Sequence, residues 1–424
     1  MKILLLSIGS RGDVEPFLAL GELLAPLGHE VVYAFPEQYL DLVQDGNRVL
    51  PFTRKFLELI EGPAGRAIMG ASTGLEKVRD YYRAYRESGP VNDLLTQQQV
   101  DYVAQEQPDL IVYHPKCMYP LLHRLTTGTP AVLYCPVPYL VHETGEQPHI
   151  AFSKSRGAWF NRMTYRLTNY AMAQKISGTQ KMIDGFQPIP RRVIARGLLR
   201  QRTVFAVSPV LAPPPPELPD HARVLGFHER NRTLDWTPDR ALLDFLDRHP
   251  RPLVIGFGSM LTADPPGLTR TICEVLIREK IPALLNGGGG GLVRLPEYQD
   301  HPLLHFVDRI PYDWMLPRAG AMIHHGGAGT THSSLKHGLP TLIIPHIIDQ
   351  YVWNRRVDEL GAGPLGVPVR KLDRVNFGKL VTDLLSESRY RARAEELAKR
   401  MRAEDFGEAL VRFVLGEPTN APTV

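Results

Sequence analysis

Two clusters in this sequence combine residue types and spacings suited to handling a ligand. The first is Gly9-Ser10-Arg11-Gly12-Asp13-Val14-Glu15-Pro16, placed just after an apolar run. Its glycines let the chain turn tightly, and it carries two carboxylates, Asp13 and Glu15. A carboxylate here can take a proton from a hydroxyl group. Both also have plain structural readings: Asp13 as the N-cap of a following helix, Glu15 as a complement to that helix's dipole. The second cluster is His324-His325-Gly326-Gly327-Ala328-Gly329-Thr330-Thr331, with Asp349-Gln350 further on. Here an apolar strand ends in two histidines, a glycine turn follows, and two threonines open a helix. A helix start has unpaired N–H groups and a partial positive charge. Glycines before it carry no Cβ, so a diphosphate can come against the backbone. Thr330 and Thr331 add hydroxyl donors, and His324 or His325 an imidazole donor. Taken alone, the motif is equally an ordinary glycine-rich β–α turn.

The elements that must position these clusters follow from periodicity. Residues 3–8 are continuously apolar, the pattern of a buried parallel strand. Residues 9–13 read as a loop. Apolar residues at helical spacing fill 15–27, Gly28 stops that helix, and 31–35 is a second strand. Further strands are read at 110–113, 131–135 and 203–207, and then at 253–257, 282–285 and 341–345. Helical patterns lie between them, which is the alternation of a doubly wound parallel sheet. Residues 54–107 are polar and helical with breaks at Gly62-Pro63 and Gly89-Pro90. Residues 137–187 are aromatic and basic. These two insertions read as walls of an acceptor pocket. The run Pro213-Pro214-Pro215-Pro216 reads as a semi-rigid connector.

With 424 residues, two domains are expected. The division is 1–212, a proline-rich linker and lead-in at 213–235, a second domain at 236–395, and a helical tail at 396–424. The net charge of +4 is too weak to argue for nucleic acid. Three dispersed cysteines, Cys117, Cys135 and Cys273, imply a reduced cytoplasmic protein with neither a disulfide framework nor a zinc site. Residues 2–8 are too short for a signal peptide, and no apolar run reaches membrane-spanning length. The arginines at 191, 192, 196, 200 and 202 read as a solvated amphipathic helix, with contact to an anionic membrane as the alternative.

The motif at 324–331 with Asp349-Gln350 resembles the donor site of family 1 glycosyltransferases, and within them the sterol, rhamnolipid and glycopeptide-antibiotic group. The Ser-Arg-Gly-Asp-Val-x-Pro run at 10–16 occurs in the same group. The resemblance implies an α/β chain of GT-B fold, with two doubly wound Rossmann-like domains facing across a cleft. It implies that His324, His325, Gly327, Ala328, Gly329 and Thr330 hold a diphosphate and that Asp349 and Gln350 bond the sugar hydroxyls. Ser259, in Gly256-Phe257-Gly258-Ser259, adds a donor for the leaving group. Asp13 corresponds to the group's proposed general base, with Ser10 close to the acceptor or diphosphate. His114, at the end of the 110–113 strand, is assigned to orient Asp13 or to contact the acceptor. Plant members stack a Trp on uracil and bond it with a Gln, and alignment on Pro311 puts Arg309 and Tyr312 there. A guanidinium can also stack on a base, and the Ile310 backbone can pair with one.

The implied reaction is inverting transfer of a hexose, glucose from UDP-glucose before other choices, to a hydroxyl of a sterol, terpenoid, glycolipid or polyketide. TDP is the competing nucleotide. No Asp-x-Asp pair occurs in the chain, so no metal is expected to hold the diphosphate, and no cofactor is expected. Peripheral membrane contact is compatible with a lipophilic acceptor, and no obligate protein partner is expected. The run 287–291 lacks the Lys-Ser/Thr ending of a P-loop, so an ATPase is rejected. The other readings are a sugar-nucleotide epimerase of the same architecture and a non-catalytic nucleotide-sugar-binding protein.

Overall fold

The computed structural model describes residues 1–44, 46–56, 58, 62, 74–152, 154–230, 236–260, 262, 264–308 and 310–418, with backbone alone for 74–87. The chain forms two compact units. The first is Met1–Ile60, Tyr82–Arg230 and Asp405–Val424. The second is Glu61–Tyr81 and Asn231–Glu404.

The first unit holds β1 (Lys2–Leu6), β2 (Glu30–Pro36), β3 (Arg48–Phe52), β4 (Leu110–Tyr113), β5 (Ala131–Cys135), β6 (Arg202–Phe205) and β7 (Ala222–Val224). They pair in the order β3-β2-β1-β4-β5-β6-β7, all parallel. Strands buried on both faces explain the unbroken apolar runs. From β1 the chain winds one way to β2 and β3, and later the other way from β4. The strand order therefore reverses between β1 and β4, where Leu6 stands beside Tyr113. The second unit holds β8 (Leu253–Gly256), β9 (Ala283–Asn286), β10 (Leu304–Val307), β11 (Ala321–His324) and β12 (Thr341–Ile343). Their order is β10-β9-β8-β11-β12, also parallel, and the reversal lies between β8 and β11, with Gly256 beside His324.

The structure differs from the sequence expectations in several places. β7 falls inside the stretch expected to be a linker. It is the edge strand of the first sheet, a position that tolerates nearby prolines because one side needs no N–H donors. β3 and β10 were not expected. Each is a short edge strand whose exposed residues, in β3, or half-buried ones, in β10, interrupt the apolar pattern. The helix Gly74–Glu106 runs through Gly89-Pro90 instead of breaking there. In place of the single helical tail expected at 396–424, two helices cover this end of the described chain. Ser388–Arg402 lies in the second unit and Gly407–Leu415 in the first. Leu410, Val411, Phe413 and Val414 join Phe17, Leu20 and Leu24 in the core of the first unit. The Arg202 guanidinium donates to the carbonyls of Phe413 at 3.0 Å and Val414 at 2.9 Å, satisfying that helix's C-terminal end.

Candidate functional site

In an open parallel sheet, the loops after the two strands flanking the order reversal part company and leave a crevice at their carboxyl ends. Each unit places polar groups of its own there.

In the first unit the turn after β1 leads into the helix that carries Asp13. That helix starts earlier than expected, at Arg11, with Ser10 rather than Asp13 in the N-cap position. Asp13 is the third helical residue and its Oδ2 accepts from the Ser10 backbone N–H at 2.7 Å, the return half of a capping box. Oδ2 also accepts from the Ser10 hydroxyl at 3.0 Å and from Lys116 Nζ at 2.9 Å. Oδ1 lies 3.1 Å from His114 Nε2. Ser7 Oγ donates to the Asp13 carbonyl at 2.7 Å. His114 and Lys116 come from the loop after β4, and His114 is tied to β1 by its own N–H, which donates to the Leu6 carbonyl at 2.9 Å. Gly9, at φ +139°, is required by this packing. A Cβ there would lie 2.2 Å from Asp13 Oδ2 and 2.5 Å from Lys116 Nζ.

These contacts fix protonation. Burial raises the Asp13 pKa, but Lys116 and His114 outweigh it and hold the carboxyl well below the ordinary carboxylate range. Burial pushes the His114 pKa down, against the pull of Asp13. The Lys116 backbone N–H donates to His114 Nδ1 at 3.1 Å, so Nδ1 carries no proton and Nε2 does. His114 is thus a neutral donor to Asp13, buried and with both nitrogens committed. It orients the carboxylate and has no nitrogen left for an acceptor. Glu15, the competing carboxylate, pairs with Arg11 at 2.8 Å on the helix flank. Lys116 did not stand out in the sequence. Its position two residues after a strand-end histidine was the available signal, but its meaning depends on β4 lying next to β1.

In the second unit the turn after β11 builds the helix Ala328–Lys336, with Gly327 as N-cap. The first intrahelical bond is from the Thr331 N–H to the Gly327 carbonyl at 2.9 Å, so the N–H groups of Ala328, Gly329 and Thr330 precede the ladder. The Thr331 hydroxyl donates to that same carbonyl and its residue is buried, whereas Thr330 is half-buried. The turn's three glycines answer three different demands. Gly326 has φ +96°, and a Cβ on it would meet Ile343 Cγ2 at 2.7 Å. A Cβ on Gly327 would meet His325 Nε2 at 2.6 Å. A Cβ on Gly329 would meet nothing within 4 Å.

Several expected roles are narrowed here. His324 is 0% exposed, and its Nδ1 accepts from the Gly326 N–H at 2.9 Å. It props the turn from inside, where a solvent-borne ligand cannot touch it. His325 is half-buried. Gln350 is also committed: its Oε1 accepts from the N–H groups of His346 at 2.7 Å and Ile347 at 3.0 Å, and its Nε2 approaches Met260 Sδ at 3.1 Å. Its carbonyl oxygen therefore shapes the 346–349 loop, which leaves the Nε2 amide as the group for the expected bond to a sugar. Asp349, half-buried, stands at the N-cap of Gln350–Glu359. Ser259 is exposed in the loop after β8, beside Gly258 at φ +57°. Ile310 has its side chain in the core, so only its backbone could serve a ligand. Arg309 lies outside the described residues. The glycine run 287–291 is a buttress: a Cβ on Gly288 would fall 1.4 Å from the Asp308 carbonyl oxygen, and one on Gly289 would fall 2.4 Å from the Gly258 carbonyl carbon.

Burial lowers the pKa of His325 to about 3 and of His346 to about 4, and that of His324 well below its ordinary value. These rings are neutral, so positive potential at the turn comes from the helix start. The linkage has a sign. An unfolded chain protonates its imidazoles near pH 6.5, while the folded chain resists until about pH 4, so folded-state stability falls as pH drops across that window. Thermal melts should show the midpoint dropping steadily between about pH 6.5 and 4, at up to roughly 1.4 kcal/mol per pH unit for each such histidine. A midpoint that stays level there would mean these rings titrate normally.

Residues 295–414 match the family model of the erythromycin biosynthesis protein CIII-like C-terminal domain. The sterol 3-beta-glucosyltransferase of Yarrowia lipolytica is 28% identical over 424 residues, covering 96% of this chain and 28% of that protein. The sterol 3-beta-glucosyltransferase UGT80A2 of Arabidopsis thaliana is 27% identical over 428 residues, covering 96% of this chain and 64% of that protein. The chain thus spans less than a third of the fungal relative and under two thirds of the plant one. Among solved structures, the glycotransferase of kitacinnamycin superposes with a TM-score of 0.69 at 18% identity, covering 98% of each chain. At that identity the likeness is one of fold.

Proposed function

We propose that this chain, a member of the family 1 GT-B glycosyltransferases, moves a hexose from a nucleotide diphosphate sugar to a hydroxyl of a sterol or similar lipophilic acceptor. UDP-glucose is the donor we put first. The observation that carries this reading is that each unit gathers its candidate polar groups at its own order reversal: Asp13, His114 and Lys116 after β1 and β4, and the 325–330 turn after β11.

In the proposed reaction the acceptor oxygen attacks the anomeric carbon, its proton passes to Asp13, the bond to the diphosphate breaks, and configuration inverts. A carboxylate held as an ion by four donor groups is a weak base. Lys116 is the adjustable one, because its side chain is 42% exposed while that of Asp13 is 18% exposed. An acceptor hydroxyl that takes the place of Lys116 Nζ on Oδ2 would remove the strongest attraction holding the proton affinity down. Charge then grows on the leaving diphosphate. Preorganised N–H groups at Ala328, Gly329 and Thr330, with the Thr330 hydroxyl and the neutral His325 ring, are suited to stabilise it. The helix start does the work that a divalent ion would otherwise do, so chelation with EDTA should leave turnover unchanged. Strict dependence on added metal would overturn that account.

The deciding experiment is a UDP-release screen of several nucleotide sugars, UDP- and TDP-linked, against a panel of sterols and other hydrophobic alcohols. Acceptor-dependent release with a glycosylated product supports the transferase. Conversion of the nucleotide sugar without acceptor would indicate an epimerase, and tight binding without release a non-catalytic binder.

A further inference from the structure

The helix Ala158–Thr179 in the first unit carries an apolar stripe on its solvent side. Trp159 is 76% exposed, Met163 37%, Leu167 57% and Tyr170 55%. At about 100° per residue these four positions fall within an arc of about 80°, so they form one continuous ridge along the helix. Its opposite side is spent on the core, where Asn161, Thr164, Tyr165, Ala173 and Ile176 are buried. Large apolar side chains cost free energy in water, and a contiguous row of them marks a surface that is covered in use.

The charge around this ridge says what covers it. Residues 154–202 contain eleven Lys and Arg against one carboxylate, Asp184, while the whole chain is only +4. The rest of the chain is therefore net acidic, and the positive charge is gathered here. Two of the arginines are neutralised locally, Arg162 by Glu217 at 2.9 Å and Arg166 by Glu143 at 3.0 Å. Lys154, Arg156, Arg192, Arg196 and Arg200 form no ion pair with any described residue and are exposed. Arg192, Arg196 and Arg200 belong to the helix Arg191–Arg200, which packs against Ala158–Thr179. It adds Val193 and Leu199, 38% and 42% exposed. Arg191 lies over the Tyr170 ring at 4.8 Å and joins the two helices at the ridge.

We propose that this two-helix face docks on an anionic lipid bilayer, with Trp159, Met163, Leu167 and Tyr170 entering the interface and the arginines contacting lipid phosphates. Trp and Tyr with flanking Arg are the side chains that settle at the headgroup level, and the apolar ridge and the basic surround match an anionic membrane better than a neutral protein surface. From sequence, the membrane alternative was attached to the basic stretch at 191–202, with its own apolar residues Val193, Ile194, Leu198 and Leu199. The apolar ridge lies a helix earlier, on residues that are no longer hidden by packing. Among the described residues no helix is long and apolar enough to cross a membrane, so the contact is peripheral.

The test is co-sedimentation of the full chain with phosphatidylcholine vesicles, with and without roughly one-third phosphatidylserine. It is read without nucleotide sugar, so its outcome is independent of the proposed transfer reaction. The chain should partition onto the anionic vesicles, weakly onto the neutral ones, and less as salt rises. Trp159→Ser with Leu167→Ser, and separately Arg192→Glu with Arg196→Glu, should each lower partitioning by about ten-fold. Trp159 emission should shift to the blue on binding, a change missing from Trp159→Phe. Unaltered circular dichroism and melting of the variants would exclude misfolding as the cause. Failure of the wild-type chain to bind anionic vesicles at low salt overturns the proposal, as does binding that neither double variant weakens. A dimer in solution that the Trp159→Ser/Leu167→Ser variant dissociates also overturns it, since the ridge would then be covered by a second copy.

Discussion

Asp13→Asn is expected to lower glycosyl transfer by about 10²- to 10⁴-fold, with UDP affinity nearly unchanged. An amide has almost the size of a carboxylate. Its oxygen can keep the Ser10 N–H bond that caps the helix. It cannot accept a proton, and it gives up the charge that holds Lys116 Nζ at 2.9 Å. The loss should therefore fall on kcat rather than on nucleotide binding, since the groups proposed to hold the diphosphate belong to the other unit. Glu15→Gln is the matched control. Glu15 faces Arg11 on the helix flank, and its removal should leave the rate close to normal. Two results would remove Asp13 from the mechanism: equal losses of transfer and UDP binding, which would make it a structural cap, or near-normal transfer by the amide variant.

Gly329→Val is expected to weaken UDP binding by about ten- to a hundred-fold without lowering stability. The reasoning rests on empty space. Gly329 is an ordinary helical residue in the first turn, and a Cβ on it would touch nothing within 4 Å. Glycine costs about 0.8–1.0 kcal/mol relative to alanine in a helix, so the protein forgoes stability at a position that could hold a side chain. The diphosphate site proposed at the helix start would account for the choice, because a branched side chain would hold a diphosphate away from the Ala328–Thr330 N–H groups. Loss of one or two hydrogen bonds to a charged oxygen, at about 1.5–3 kcal/mol each, gives the stated range. The neighbouring glycines offer no such clean test. A side chain at Gly327 meets His325, and one at Gly326 is strained by φ +96° as well as crowded by Ile343. Calorimetry with UDP on Gly329→Val, beside a melting curve, separates the cases. Wild-type affinity in a stable variant would place the diphosphate elsewhere.

Much of the architecture was legible because both sheets are parallel. Their strands are buried on two faces and read as plain apolar runs, as at 3–6, 110–113, 253–256 and 321–323. Edge strands were not legible, since one solvent side lets polar residues and prolines in, as in Arg48–Phe52 and Ala222–Val224. Helix ends were off by a turn where capping decided them. Ser10 caps a helix whose apolar pattern begins only later, which moved Asp13 from a loop into a first turn.

The chemistry on offer is written in residue types and short spacings: a carboxylate after the first strand, a glycine turn opening a helix after the strand at 321–324, and no Asp-x-Asp pair. Which of those groups are available depends on the folded chain. It committed His324 and Gln350 to shaping the backbone, left His325 and Gly329 at the accessible side, and set His114 and Lys116 against Asp13 across about a hundred intervening residues. The physical reason is that hydrogen-bond commitment and desolvation depend on neighbours brought together by strand order, here β4 beside β1, and that adjacency is not encoded in any local stretch of chain.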